Sequence, residues 1–178
     1  MAVRHLSSVE IEAGLPEIQG SPREQGVLEL IVRRVSRGER EVLEVGELDI
    51  YEGLVGDRWG QGRRRRENQL TLMSSRVAAL LAQSRERWPL AGDQLYVDFD
   101  LSAEHVPPGT RLAIGAAEIE VSSEPHTGCK LFRERYGQDA QRFVGSAVGQ
   151  ALQLRGINAW VVRNGTIRVG DTVHALFG

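Results

Sequence analysis

The feature that most constrains the fold is a succession of short β-type runs, each closed by a turn. Alternating or β-branched residues form these runs, and long amphipathic helical patterns are few. The sequence contains 20 glycines, which favour many turns between the runs. The candidate strands are Val27–Val32, Glu41–Ile50, Asn68–Met73, Gln94–Phe99, Arg111–Ile114, Ala117–Val121, Ile157–Val162, Thr166–Val169 and Thr172–Leu176. Their order predicts a mainly β fold with a few short helices (α+β), closed into a mostly antiparallel, barrel-like sheet.

Turn residues between neighbouring runs predict three β-hairpins. The turn around Gly38 would join the first two runs, and Gly115 would join the pair formed by Arg111–Ile114 and Ala117–Val121. The Asn164-Gly165 dipeptide is a strong hairpin signal between Ile157–Val162 and Thr166–Val169. Short helices are predicted from Ser74 or Ser75 through Gln83, over Cys129–Tyr136, and from an Asp139 cap through Val144.

We predict that residues 1–26 form an N-terminal extension and residues 27–178 form one domain. The first residues lack the apolar core of a signal peptide, and no run approaches the ~18 apolar residues of a membrane span. A net charge of −2 and a pI near 6.1 argue against general nucleic-acid binding. A single cysteine excludes an intrachain disulfide and fits a reducing compartment. We therefore expect a cytoplasmic protein with neither nucleic acid nor membrane as partner.

The stretch with the greatest chemical potential is 124–130, which holds the only cysteine. Thr127 is placed to cap a helix, which would put Cys129 in the first turn beside Lys130. The helix dipole and the cation would both favour the thiolate, the nucleophilic and metal-binding form. His126 would add a proton acceptor or a second positive charge. The alternative is that Cys129 is a small buried hydrophobe without chemistry.

A glycine-rich segment, 53–62, is the second candidate. Its glycines, Gly56 among them, permit positive φ and close approach to a ligand, while Asp57 and Arg58 place both charges at one point. The segment is either a ligand-binding loop or a tight connection with an internal Asp–Arg pair. The four arginines that follow, 63–66, form either a solvated loop or part of an anion site. Nucleotide-binding glycine motifs are absent from the sequence, and its four histidines lack zinc-ligand spacing.

Several stretches, taken in order, resemble the MOSC domain, the module named for the C-terminal part of molybdenum-cofactor sulfurases. The matching stretches are Gly53–Arg58 (GLVGDR), Asn68–Met73 (NQLTLM), Gly92–Leu95 (GDQL), Pro108–Gly115 (PGTRLAIG), Glu124–Lys130 and Thr166–Val173 (TIRVGDTV). The resemblance runs from about residue 27 to 173. It implies a barrel-like β fold and an association with molybdenum cofactor (molybdopterin) or with carried sulfur.

The resemblance also implies roles for single residues. Cys129 would ligate molybdenum or carry sulfur as a persulfide, with His126 beside it. Arginines, Lys130 and glycine-loop N–H groups would hold the pterin phosphate, and two amides would contact the pterin edge. The implied cofactor-binding residues are Gly56, Asp57, Arg58, Arg63, Asn68, Gln69, Thr127 and Lys130.

Three functions follow from these observations. The first is a stand-alone MOSC protein that reduces N-hydroxylated small molecules, with Cys129 as the molybdenum ligand and an electron-donor protein as partner. The second is a sulfur carrier that takes a persulfide on Cys129 from a separate cysteine desulfurase, because this chain has no room for a pyridoxal-phosphate domain. The third is a non-catalytic binding domain with an inert Cys129.

Overall fold

The computed structural model describes residues 3–177, in which eleven strands alternate with six short α-helices. The strands are β1 (Gly26–Ser36), β2 (Glu39–Leu43), β3 (Val45–Asp49), β4 (Gly53–Leu54), β5 (Leu70–Ser74), β6 (Leu95–Asp98), β7 (Arg111–Ile114), β8 (Ala117–Val121), β9 (Ile157–Arg163), β10 (Gly165–Arg168) and β11 (Thr172–Leu176). The helices are α1 (Ser8–Ala13), α2 (Leu15–Gln19), α3 (Ser75–Ala82), α4 (Lys130–Tyr136), α5 (Gln138–Gly145) and α6 (Ala147–Ala151). The predicted mainly β fold with short helices is confirmed.

Seven strands close into a barrel in the order β11-β7-β8-β9-β5-β6-β1. The closing pair joins β1 to β11, with Gly26 opposite Val173 and Val27 opposite Thr172. The β5–β6 pair is parallel and the other barrel pairs are antiparallel. Strand β2 extends the barrel sheet beyond β1. The prediction of a mostly antiparallel barrel is therefore confirmed.

Two of the predicted hairpins form. Strands β7 and β8 pair around the turn at Gly115, with Ile114 opposite Ala117. Strand β1 pairs with β2 after the turn at Gly38. The run Glu41–Ile50, which was predicted to pair with β1 as one strand, is divided. Its second half forms β3, which pairs with β10 in another sheet.

The third predicted hairpin is wrong. Strand β10 pairs with β3 in a separate three-stranded sheet, whereas β9 lies in the barrel between β8 and β5. Neither Asn164 nor Gly165 has the positive φ that a type I′ turn needs. Asn164 instead bonds the β3 end, where its Nδ2 donates to Asp49 Oδ2 at 2.8 Å. Gly165 is needed because a Cβ there would lie 2.4 Å from the Ala116 carbonyl carbon.

Two apolar cores lie on opposite sides of the barrel wall. The interior core includes Leu28, Ile31, Leu95 and Phe99, all fully buried. The outer core lies between the barrel and the helices. Its main side chains are Ile11, Ile18, Val32, Met73, Val77, Tyr96, Phe132 and Tyr136.

The residues before β1 contribute to the outer core through α1 and α2. A capping box formed by Ser7 and Glu10 starts α1. Ile11 and Ile18 are 2% and 8% exposed, so both helices are packed against the barrel. Among residues 3–177, every helix is too short or too polar to cross a membrane.

Candidate functional site

Cys129 lies at the start of α4, on the wall of a cavity of about 180 Å³ that we call the Cys129 pocket. Phe132 and Tyr136 occupy the buried side of α4, one turn apart, and are 1% and 2% exposed. Their burial fixes the rotation of the helix and therefore the place of its first residues. The thiol of Cys129 is exposed. The alternative that this cysteine is a small buried hydrophobe is therefore wrong.

The predicted cap of α4 is wrong as well. Cys129 itself is the N-cap residue, with extended backbone (φ −86°, ψ 179°) and without a side-chain capping bond. Thr127 lies two residues earlier and is exposed. The cysteine therefore adjoins the first turn instead of lying within it.

Five arginines line the Cys129 pocket: Arg34, Arg40, Arg58, Arg135 and Arg155. Arg34 and Arg155 are neutralised by buried aspartates. Among residues 3–177, no carboxylate lies within ion-pair distance of the other three. Glu39 also lines the pocket, so five guanidinium groups stand against three carboxylates, those of Glu39, Asp57 and Asp93, and the pocket carries an excess of positive charge although the whole chain is weakly acidic.

Arg40 is the arginine most affected by this excess of positive charge. Its Nε is buried and has no hydrogen-bond partner within residues 3–177. Partial burial, together with the positive charge of Arg135, lowers the pKa of Arg40. Strand β2 thus holds the Arg40 guanidinium close to other positive charges, and a bound anion would reduce their repulsion.

Asp93, a fully buried residue behind the pocket lining, orders two of the lining residues, His126 and Arg155. Its Oδ1 lies 2.8 Å from His126 Nε2, and its Oδ2 accepts from Arg155 at 2.7 Å. Burial opposes the charge of Asp93, but Arg155 and His126 outweigh burial and lower its pKa to about 2. Asp93 is therefore ionised at neutral pH and holds both partners in place.

His126 is held in one orientation by that carboxylate. Burial lowers the pKa of His126 more than the charge of Asp93 raises it, so the ring is neutral at neutral pH. Since Asp93 only accepts, the neutral ring places its proton on Nε2 and leaves Nδ1 as the acceptor. His126 and Cys129 both line the pocket, which brings together the two predicted catalytic residues.

Asp57 performs a structural task at the same end of the barrel. It accepts from the Arg34 backbone at 2.8 Å and from the Arg34 guanidinium at 2.8 and 3.1 Å. It also caps the short 3₁₀ helix 58–61 through the Trp59 N–H. Burial opposes ionisation, but Arg34 outweighs it and lowers the pKa of Asp57. The Asp–Arg pair thus fixes the segment that presents Arg58 to the pocket.

The sequence model of the MOSC domain matches residues 67–174, more than half of the chain. The chain belongs to the MOSC domain family. This family is associated with molybdenum-cofactor binding.

Solved structures show the same fold. The MOSC chain resembles YuaD from Bacillus subtilis (TM-score 0.60, 20% identity), covering 87% of this chain and 97% of that one. It also resembles YiiM from Escherichia coli (TM-score 0.56, 17% identity), with 85% and 70% covered. YiiM from Geobacillus stearothermophilus gives a TM-score of 0.53 at 12% identity, with 85% and 73% covered. The comparison with curated protein sequences gives no match.

Other predicted ligands are not among the residues that line the Cys129 pocket. Lys130 is 80% exposed and faces Glu134 at 3.9 Å. Arg63 and its three neighbours are exposed and do not line the pocket. Arg65 pairs with Glu124, and Arg66 stacks on the Trp160 ring at 4.5 Å.

The amides and the glycine of the predicted set have structural partners in this MOSC domain. Gln69 is buried, donating to Ile50 O and accepting from the Val161 N–H. Asn68 accepts from the Trp59 indole at 3.2 Å. Gly56 has φ +85°, and a Cβ there would lie 2.9 Å from the Arg33 side chain.

The sequence analysis missed five residues that line or order the Cys129 pocket: Arg34, Arg40, Asp93, Arg135 and Arg155. Asp93 lies in the GDQL stretch that carries the family resemblance, so it could have been recognised from the sequence. The arginines could not have been recognised in this way, because β1, β2, α4 and the segment before β9 meet only in the folded barrel.

Proposed function

We propose that this MOSC domain is a cytoplasmic protein that binds molybdenum cofactor in the Cys129 pocket and reduces N-hydroxylated small molecules. Cys129 Sγ is the protein's ligand to molybdenum, and an electron-donor protein is the partner. The observation that carries the proposal is an exposed thiol in a pocket lined by five arginines, three of which have no carboxylate partner among residues 3–177.

The donor set of the pocket fits this group. Within residues 3–177, no three His, Cys, Asp or Glu side chains cluster as metal ligands, so a metal here must bring ligands of its own. A dithiolene-held molybdenum does so, and a soft thiolate completes its coordination. The guanidinium groups of Arg40, Arg58 and Arg135, which line the pocket without a carboxylate partner among residues 3–177, are donors that suit an anion.

The volume of the Cys129 pocket limits how much of the cofactor can bind inside it. About 180 Å³ is below the roughly 300–1,000 Å³ of typical ligand sites. We therefore assign only the anionic end of the cofactor to the arginine-lined cavity. Arg40, Arg58 and Arg135 would hold it, with the exposed Cys129 at the edge.

The protein's own groups perform two tasks in this proposal. Molybdenum, when bound, supplies two-electron oxygen-atom chemistry. His126 Nδ1 accepts a proton near the thiol, and Asp93 keeps the ring in the tautomer that leaves this nitrogen free. Arg155 holds Asp93 ionised through the 2.7 Å contact.

A second function is favoured by one specific observation, the exposure of Cys129. An accessible thiolate can attack the outer sulfur of a desulfurase persulfide, taking that sulfur and releasing the desulfurase thiolate. The Cys129 persulfide would then pass its sulfur to a metal-cofactor acceptor. A cysteine desulfurase would be the partner in this case.

Molybdenum and pterin analysis of freshly purified protein tests the proposal. We expect both in the wild type, a lower but measurable molybdenum content in Cys129→Ser, and at least about a ten-fold loss of both in Arg40→Gln/Arg58→Gln, since each charge-assisted bond contributes about 1.5–3 kcal/mol. Arg64→Gln is the matched control, because Arg64 is exposed and lies outside the pocket. Metal-free wild type with a labile sulfur on Cys129 would support the sulfur carrier. Protein with neither and with an unreactive thiol would leave the non-catalytic binding domain.

A further inference from the structure

The segment that leads into Cys129 has few hydrogen bonds of its own. It lies between β8 and α4, and within the described part of the chain residues 125–128 form no backbone-to-backbone hydrogen bond. Cys129, at the N-cap of α4, also lacks a side-chain capping bond. Contacts from other elements must therefore set the place of the thiol.

Helix α5 supplies the contact nearest to the thiol. Gln141 Nε2 donates to Gly128 O at 3.1 Å and to Cys129 O at 3.3 Å. Both acceptors are carbonyls, so the NH2 end of the side-chain amide must face them. The two carbonyls belong to the peptide units on either side of the Cys129 Cα. One side chain thus holds the backbone on both sides of the carbon that carries the thiol.

Gly128 allows the segment to approach α5 closely enough for these bonds. A Cβ on Gly128 would lie 3.2 Å from Val144 Cγ2 and 3.4 Å from Gln141 Cγ, both on α5. A side chain at this position would press the segment away from the helix and lengthen both hydrogen bonds. The close packing and the Gln141 amide therefore act together.

Helix α5 is itself held by the N-terminal segment. Asp139, in the first turn of α5, accepts from the Ser8 backbone N–H at 3.0 Å. Gly137 separates α4 from α5, and a Cβ there would lie 2.7 Å from the His5 Cβ. Val144 is 5% exposed and belongs to the outer core. The helix therefore presents the Gln141 side chain from a fixed position.

Two other side-chain contacts hold the segment, and both act before the cysteine. Asn158 Nδ2 donates to Glu124 O at 3.1 Å, and Asp93 holds the His126 ring at 2.8 Å. Neither contact reaches the backbone of Cys129, whereas the α5 amide does.

From these contacts we infer that Gln141 is a positioning residue for Cys129, which keeps the thiol at the edge of the pocket beside the arginines. Without the amide, both carbonyls lose their donor, and the start of α4 can turn the thiol away from the pocket. The inference rests on the proposed function in taking this pocket as the place where the thiol acts. It applies equally to a molybdenum ligand and to a sulfur carrier.

Alkylation of the full chain by two electrophiles of similar size tests the inference. Iodoacetate is anionic and iodoacetamide is neutral, so the ratio of their rate constants, divided by the same ratio for N-acetylcysteine amide, reports positive charge beside the thiol. The protein is produced in cells that cannot make the pterin cofactor, which leaves the thiol free. We expect a normalised ratio of about three or more in the wild type, the effect of one cation about 6 Å away in water.

Gln141→Met keeps the length of the side chain and removes its donor, so the normalised ratio should fall about three-fold, to about one. Loosening of the fold alone raises both rate constants and leaves their ratio unchanged. Gln138→Met is the matched control, since Gln138 is an exposed glutamine of α5 outside the Cys129 pocket. Circular dichroism checks that each variant is folded, and Gln141→Ala, which should show the same fall, is the second variant.

An unchanged ratio in the folded Gln141 variants would overturn the inference. An equal fall in Gln138→Met, or a wild-type ratio no higher than that of the free thiol, would overturn it as well. The expected fall in Gln141→Met, found together with wild-type protein that takes up no molybdenum in normal cells, would contradict the proposed function alone.

Discussion

His126 links the chemistry of the Cys129 pocket to the stability of the fold. Its mostly buried ring packs against Asp93, and Gly156 lies close enough that an added Cβ would come within 3.4 Å of it. Protonation of this ring is opposed mainly by burial, with a smaller contribution from the charge of Arg155. A neutral imidazole is what both a proton acceptor and a stable pocket wall require.

This arrangement predicts how stability depends on pH. Because burial lowers the folded pKa of His126 below 6.5, the unfolded state binds more protons below that pH. The contribution of the neutral ring to stability is therefore fully present well above the unfolded pKa of about 6.5 and is lost as the pH is lowered through and below that value. Urea unfolding on both sides of this value should show a smaller loss in His126→Gln than in the wild type. Parallel pH profiles for the two proteins would contradict the neutral buried ring.

At the scale of elements, the local sequence correctly predicted the turns and helix caps that depend only on residues close together in the chain. The β7–β8 hairpin forms because the Gly115 turn brings two adjacent alternating runs together. Helix α3 begins at Ser74, whose hydroxyl accepts from the Val77 N–H as a helix cap does. The predicted β9–β10 hairpin was wrong, because the Asp49 carboxylate and the Ala116 backbone, which are distant in sequence, decide the conformation there.

The turn from α6 into β9 contains a glycine that the fold cannot replace. Gly156 has φ +109°, and a Cβ there would lie 2.2 Å from Leu72 O in β5. We expect Gly156→Ala to lower the free energy of unfolding by more than about 1 kcal/mol. In Gly145→Ala the added Cβ meets no atom within 4 Å, so its stability should stay within about 0.5 kcal/mol of the wild type. Urea denaturation measures both, and equal stability of the two variants would contradict the steric argument.

At the scale of the whole molecule, the barrel brings together positive charges that are far apart in the sequence. The chain has a net charge of −2, yet five arginines from separate elements converge around Cys129. Cys129, His126 and Arg58, which lie within the short motifs of the family resemblance, line one pocket. The resemblance did not identify Arg40 or Arg135, since their proximity depends on β2 folding back along β1 and on the rotation of α4.

The most direct test of the proposed cofactor site is X-ray absorption at the molybdenum edge of the loaded protein. A thiolate ligand from Cys129 adds a sulfur to those of the dithiolene, so the wild-type spectrum should contain a protein sulfur that Cys129→Ser lacks. The pocket arginines remain in that variant, so phosphate binding should be unchanged and would confirm that the pocket is intact. Identical sulfur coordination in wild type and Cys129→Ser would contradict the assignment of Cys129 as the molybdenum ligand.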